Sequence, residues 1–507
     1  MKISTGLTGI ITAIFLAFSI SAWAGTYTAT SSGNWSSNST WSGGSAPSFT
    51  NTADQIKISS GVTVTMDQNV TINGLYAILE VEGTLTGGSS STLATDEGTI
   101  TGAGAISAGT VSLGTGAILA TFTGSITASV LTSSISSLDM VANITVNQGL
   151  SLAAGTFTVG SGGKLKLASG ASITLAGGAL AVNNGSLDLT SSYSLIYSTS
   201  YNSTGAEITG TGLQNVSVNS GNVTLNGNMT VNGTLALNGG MLFLNGNTLT
   251  IATTGTITTA SGNYIVTNNS GYLAMNVSNS TGMYYPIGTP KYFYPANISV
   301  NSGSNTGWVN VNVSDNVYAH PPVTTTTLST TQSMVDATWD VQSTIAPAMS
   351  LNMKLMWSSN AEVNGFDRAH AYISHYTGGV WDATATASAT TESNGMYSVT
   401  RSNITSLSPF AVFDSKTSAV EPVTNNIANA GFAIYPNPAA DNIYIENFNP
   451  SEKEVYAQVM SLNGKVLGTY IITGKTSPIN VSSLPKGMYF IKLYNNNTSA
   501  TAKFVKY

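Results

Sequence analysis

The chain has 507 residues, room for two to four domains of ordinary size, but only 7% of them are charged, against the usual quarter. Between Gly25 and Val300 there are four lysines and no arginine, so no basic patch can release counterions from a phosphate backbone, and nucleic acid is excluded as a partner. Cysteine is absent, which excludes disulfides, thiolate nucleophiles and thiolate metal sites; the net charge of −6 is modest for this length and decides nothing.

Residues 1–24 read as a secretory signal. Lys2 supplies the n-region charge, Ile10 to Ile20 the short apolar core, and Ala22-Trp23-Ala24 a small-x-small cleavage site, so the mature chain is expected to begin at Gly25. The apolar run is too short to span a bilayer comfortably, and no later segment qualifies, so no transmembrane segment is expected in the mature protein. Residues 25–60 read as an N-terminal cap, with Trp35, Trp41 and Pro47. The pattern Thr40-Trp41-Ser42-Gly43-Gly44, Pro47 and Asp54 resembles the opening segment of many secreted bacterial β-helix proteins.

The body, 25–283, is written in apolar pairs at i and i+2, which face one side of a strand. One run is Ile144/Val146, Leu150/Leu152, Phe157/Val159, Leu165/Leu167, Ile173/Leu175, Leu180/Val182 and Leu187/Leu189. A second is Val216/Val218, Val223/Leu225, Met229/Val231, Leu235/Leu237, Leu242/Leu244 and Leu249/Ile251. Such short strands suit three-sided coils of about 20 residues, stacked so that inward side chains form apolar columns. The fold class expected is all-β: a right-handed parallel β-helix, then a β-sandwich, then a small Ig-like C-terminal β-sandwich. An up-and-down barrel is the alternative, but it wants longer strands. Asn219, Asn226, Asn232, Asn238 and Asn245 each follow a pair, four of them before glycine. They predict corners with positive φ and an asparagine ladder. A calcium site would need aspartate there.

From Tyr284 to 413 aromatics rise, and stretches such as Trp308 to Val313 and Leu351 to Leu355 alternate as longer antiparallel strands, predicting a β-sandwich. Ser408 to Val412 looks like the closing strand of this module. Residues 414–431 read as a linker.

Chemistry is sparse. Glu80 and Glu82 could serve as a glycosidase pair, but Leu79 and Val81 point inward and leave both acids on a smooth outer wall. Asp139, Asp188 and Glu207 are scattered along the body. His370 and His375, with Asp367 near, fall on opposite faces of a strand; His320 looks like loop. Trp308, Trp339, Trp357 and Trp381 are expected in the sandwich core. The triplets at Thr84, Thr99, Thr248 and Thr256 are too irregular for an ordered hydroxyl array. No catalytic, cofactor or metal residue is expected.

The last 76 residues, 432–507, hold seven lysines. They carry Tyr435-Pro436-Asn437-Pro438, a hairpin signal at Asn463-Gly464-Lys465, Leu484-Pro485-Lys486-Gly487-Met488-Tyr489, and a terminal strand ending Lys503-Phe504-Val505-Lys506. That set resembles the type A C-terminal sorting domain of the type IX secretion system of Bacteroidota. The resemblance implies delivery to the periplasm, recognition by the outer-membrane machinery, and a secreted or cell-surface destination. It implies a recognition role for Pro436, Asn437, Pro438, Gly464, Gly487, Tyr489 and Lys506. The expected function is that of a non-enzymatic, adhesin-like or structural surface protein, with an extracellular glycan or matrix as ligand. The alternative is a β-helix polysaccharide-degrading lyase or glycoside hydrolase.

Overall fold

Each rung is built from short strands in which an apolar residue facing in alternates with a hydroxyl or amide residue facing out. The computed structural model describes residues 24–48, 53–119, 121–135, 137–199, 203–267, 270–278, 282–321, 323–328, 332–344, 350–415, 433–446, 455–461, 465–472, 477–494 and 499–507. The signal reading of residues 1–24, apart from Ala24, the linker reading apart from residues 414–415, and Gly464 lie outside the described residues. The chain divides into two units between Phe413 and Asp414.

The first unit opens as a β-solenoid of about 11 turns. Its strands pair in parallel with those of the next rung, not as hairpins. One wall runs through Thr26–Ala29, Gln55–Ile58, Ile78–Val81 and Thr99–Thr101. A second begins with Gly33–Asn34, Thr63–Met66 and Thr84–Gly87. On the third, Leu93, Val111, Leu131, Leu150, Ile173, Leu195, Val216, Leu235 and Ile257 lie directly over one another. The column recurs at spacings from 18 residues (Leu93 to Val111) to 23 (Leu150 to Ile173). All but Ile257 are at most 1% exposed, and each leucine so buried contributes about 1.5–3 kcal/mol. Nearly every apolar pair read from the sequence is buried. Val182, 41% exposed, and half-buried Leu187 depart from that expectation, where the wall beyond them gives way to the short turn Ala206–Ile208.

The corners depart from expectation in an instructive way. Of the five asparagines only Asn245 has positive φ, and of their glycines only Gly246. The others work through side chains and close approach. Asn238 Nδ2 donates to Asn219 Oδ1 at 2.9 Å, one rung of the expected ladder. Asn226 and Asn232 donate to the backbone carbonyls of Thr204 and Thr211, both at 3.0 Å. A Cβ at Gly239 would lie 2.1 Å from the Asn219 carbonyl oxygen, so stacking, not torsion, demands that glycine.

The cap closes the first rung. Trp35 and Trp41 are buried edge-to-face with centroids 5.1 Å apart, and Trp41 Nε1 donates to the Trp35 carbonyl at 2.9 Å. At the other end the solenoid passes into the sandwich through a shared strand. Tyr272–Val277 pairs in parallel with Thr248–Ile251 and antiparallel with Gly307–Asp315. The sheet continues through Met334–Ser343, Pro409–Asp414 and Ala371–Thr377. Facing it is a five-stranded sheet of Met283–Tyr285, Ala296–Val300, Leu351–Trp357, Tyr397–Ile404 and Thr390–Thr391. One hydrophobic core runs from Ala29 to Val412. Trp339 and Trp357 are fully buried in it, whereas Trp308 and Trp381 are half-buried.

The second unit is a small two-sheet sandwich. Ala433–Tyr435, Asn442–Glu446 and Ser477–Asn480 form one sheet; Val466–Ile472, Val455–Met460, Gly487–Tyr494 and Ser499–Lys506 form the other. Its own core includes Ile443, Ile445, Val459, Ile491 and Phe504.

Candidate functional site

Six of the seven residues singled out in the tail converge on its terminal strand. Asn437 Oδ1 accepts from Val505 N at 2.9 Å, and Asn437 Nδ2 donates to the Lys503 carbonyl at 3.3 Å. Exposed Pro436 and Pro438 flank it. Ala439 then pins the strand end, its N–H on the Val505 carbonyl at 2.7 Å and its carbonyl accepting from Tyr507 N at 3.1 Å. From the other edge, Gly487 pairs with Lys506 and Tyr489 with Phe504. Tyr489 is not displayed: it is buried, stacks on Phe504 at 5.6 Å, and its hydroxyl donates to the Pro485 carbonyl at 2.8 Å. So Asn437, Gly487 and Tyr489 hold the last strand, whereas Pro436, Pro438 and the partly exposed Lys506 face outward. The sequence reading passed over the apolar residues displayed beside them: Met488, 43% exposed, lies opposite Val505, 37% exposed. Outward side chains in a period-2 strand were the available signal.

In the first unit the expected acids do not assemble. Glu80 points outward and pairs with Lys57 at 2.7 Å; exposed Glu82 lies past the strand end. Asp188 sits 3.7 Å from Lys164. Glu207, read as one of the scattered acids, is fully buried instead. The turn Ala206–Ile208 carries it inward, where Oε1 accepts from Tyr197 Oη at 3.0 Å and from Gly205 N at 2.9 Å. Burial pushes its carboxyl up, against the pull of those hydrogen bonds.

The histidines stay apart. His370 ends a short turn and holds Asp367 at 2.8 Å. His375 is buried, stacked on Phe410 at 4.5 Å, with its imidazole pushed below the usual value by burial. His320 ends a strand rather than lying in a loop, with Nδ1 3.3 Å from Tyr376 Oη. Among the described residues no three potential metal ligands cluster. The threonine triplets fall in three different sheets.

Two polar groupings were not legible beforehand. Asp336 and Asp315 share the edge of the solenoid–sandwich junction with Lys291. Asp336 is pushed up chiefly by burial, with Lys291 opposing and Asp315 adding to the shift. Its Oδ1 is sealed from solvent without a hydrogen-bond partner among the described residues. The second grouping is an open cleft of about 530 Å³ between the end of Met334–Ser343 and the loop at 405–408. Asp340, Gln342 and Ser343 line one side, Thr405, Ser406 and Ser408 the other. Tyr272 Oη donates to Asp340 Oδ2, and Gln342 Nε2 donates to Tyr272 Oη at 2.7 Å. Burial, then Asp340, holds the Tyr272 phenol well above its ordinary value, so it remains a neutral donor.

Comparison with known proteins bears on the tail. Residues 433–507 match the family model described as the secretion system C-terminal sorting domain. No curated protein matches the chain. The tail is thus a type IX sorting domain, and with it the chain is a β-solenoid protein directed through the type IX machinery to the cell surface or beyond it.

Proposed function

We propose that the exported chain is a non-enzymatic, adhesin-like surface protein whose sandwich binds a neutral extracellular glycan. The observation that carries this reading is the cleft beside Tyr272. It presents an acceptor (Asp340), an amide (Gln342) and a row of hydroxyls in one concave surface. Sugar hydroxyls need paired donors and acceptors at fixed positions, and this set supplies both with one formal charge. The neutral walls of the solenoid suit a spacer that carries the sandwich without attracting ions.

The mature chain is expected to retain one class of neutral glycan on a glycan and matrix array. Asp340→Ala with Gln342→Ala is expected to weaken that retention at least tenfold, with the thermal transition unchanged, and 0.5 M salt to leave it nearly intact. No retained glycan, or retention indifferent to the double substitution, rejects the reading. A polysaccharide-degrading enzyme is the second reading, favoured by Asp315, Asp336 and Lys291 lying together. Against it, the sealed oxygen of Asp336 cannot meet a substrate. Depolymerisation of a polysaccharide that is lost in Asp336→Asn would reverse the order.

A further inference from the structure

Asp54 is a carboxylate without an adequate counterpart. It is 3% exposed and lies in the capping segment, directly before the strand Gln55–Ile58. Its Oδ1 accepts one hydrogen bond, from the backbone nitrogen of Gly25 at 2.8 Å. Its Oδ2 is buried with no hydrogen-bond partner among the described residues. The ion pairs found among the described residues do not include it. A buried carboxylate held by one neutral amide is a poor arrangement, because desolvation is not offset by an opposite charge.

The group it faces is the nitrogen that the signal reading makes the first atom of the mature chain. We infer that Asp54 is a receptor for the α-ammonium of Gly25, and that removal of residues 1–24 creates the ion pair that closes the first rung. This rests on the reading of residues 1–24 as a cleaved signal. Hydrolysis of the Ala24–Gly25 peptide bond adds one water: hydroxyl to the Ala24 carbonyl carbon, hydrogen to the Gly25 nitrogen. At neutral pH the freed amine takes a further proton from solvent. One N–H before cleavage becomes three after it. One stays on Oδ1, a second can turn to the orphaned Oδ2, and the charges cancel.

Gly25 is already held for this role. Its carbonyl accepts from Gln55 N at 2.8 Å, and Thr26–Ala29 continues in parallel register with Gln55–Ile58. The Tyr27 ring folds over the position, so close that a Cβ at residue 25 would lie 2.4 Å from it. Glycine leaves room for the ammonium under that ring. The clamped strand is also the outer edge of its wall, where a loose end would invite pairing with another chain.

The test uses the full exported chain. Mass spectrometry of its N-terminus is expected to give Gly25. A second version carries one alanine inserted between Ala24 and Gly25, which moves the ammonium one residue away but keeps the Gly25 amide on Oδ1. Hydrogen exchange at the amides of Gln55 through Ile58 is expected to be at least tenfold faster in the extended chain. In Asp54→Asn, the extended and unextended chains should exchange alike. A mature N-terminus elsewhere overturns the signal reading. The correct N-terminus with exchange indifferent to the extension overturns the clamp, and this comparison stands even if Asp54→Asn does not fold.

Discussion

Glu207 shows how a single residue can set the pH response of a solenoid. It has no exposed surface and, among the described residues, two donors on one oxygen and none on the other. Its folded-state pKa lies above the ordinary carboxylate value, with burial the leading cause. The sign follows from linkage. As pH rises above about 4.3, the unfolded chain loses this proton first, so the folded state binds more protons and stability falls with pH. The contribution is fully present below the unfolded pKa and is lost as pH rises through the folded one. Glu207→Gln, which mimics the protonated acid, is expected to match the parent near pH 4. It should melt at a higher temperature at pH 7 to 8, and thermal unfolding of both across that range checks it. Nothing in the sequence announced this: an acid between Ala206 and Ile208 looks solvated until the turn that carries it inward is known. Residues whose role is set by their own strand were readable, as with Leu150 or Val216. Residues whose partner lies a rung away were not.

At the scale of the strand and corner, period-2 pairs revealed the rungs because burial depends only on which way a side chain points. The corners were harder, since their chemistry belongs to stacking. The expectation of positive φ fits Asn245-Gly246 and fails at Gly239, where the contact is with the Asn219 backbone 20 residues earlier. The two kinds of glycine separate on substitution. Gly239→Ala must push neighbouring rungs apart, because its Cβ would meet backbone at 2.1 Å, and by analogy with other overpacking it should cost about 1–3 kcal/mol. Gly162→Ala places a Cβ in open space at φ +83°, so only the left-handed backbone is penalised, by about 1–2 kcal/mol. Gly239→Ala should also loosen exchange at Asn238, whose amide bonds to the Val218 carbonyl at 2.9 Å; Gly162→Ala should leave those amides protected. Equal local effects would mean that stacking is not what Gly239 serves. Polar clefts share the difficulty of the corners. Asp340 and Gln342 are ordinary residues of one strand, Tyr272 lies 68 and 70 positions before them in sequence, and antiparallel pairing through Gly307–Asp315 brings them together.

For the whole molecule, the question is whether the export machinery reads the tail's shape or its surface. The tail motifs were legible because they sit in order at the chain's end, but their split into holding and displayed residues needed the fold. Phe504 is fully buried in the second unit's core; Phe504→Ala is expected to cost about 3–5 kcal/mol, enough to unfold a small domain of marginal stability. Lys506, by contrast, has its Nζ on the neighbouring Tyr507 carbonyl at 2.9 Å and, among the described residues, no partner in the core. Removing residues 503–507 takes away Phe504 together with the anchors of Asn437 and Ala439, so the truncated chain is expected to remain in the periplasm. That result alone cannot separate unfolding from loss of a displayed signal. Phe504→Ala should lower both the tail's melting temperature and surface display. Lys506→Ala should lower surface display while leaving the melting temperature unchanged, because recognition is then lost without the fold. Surface labelling of intact cells, paired with thermal unfolding of the purified chains, measures both. If Lys506→Ala reaches the surface at parental levels while Phe504→Ala does not, the machinery reads the folded edge built by Asn437, Gly487 and Tyr489 rather than the terminal charge. Undiminished display of the truncated chain would remove the terminal strand from recognition altogether.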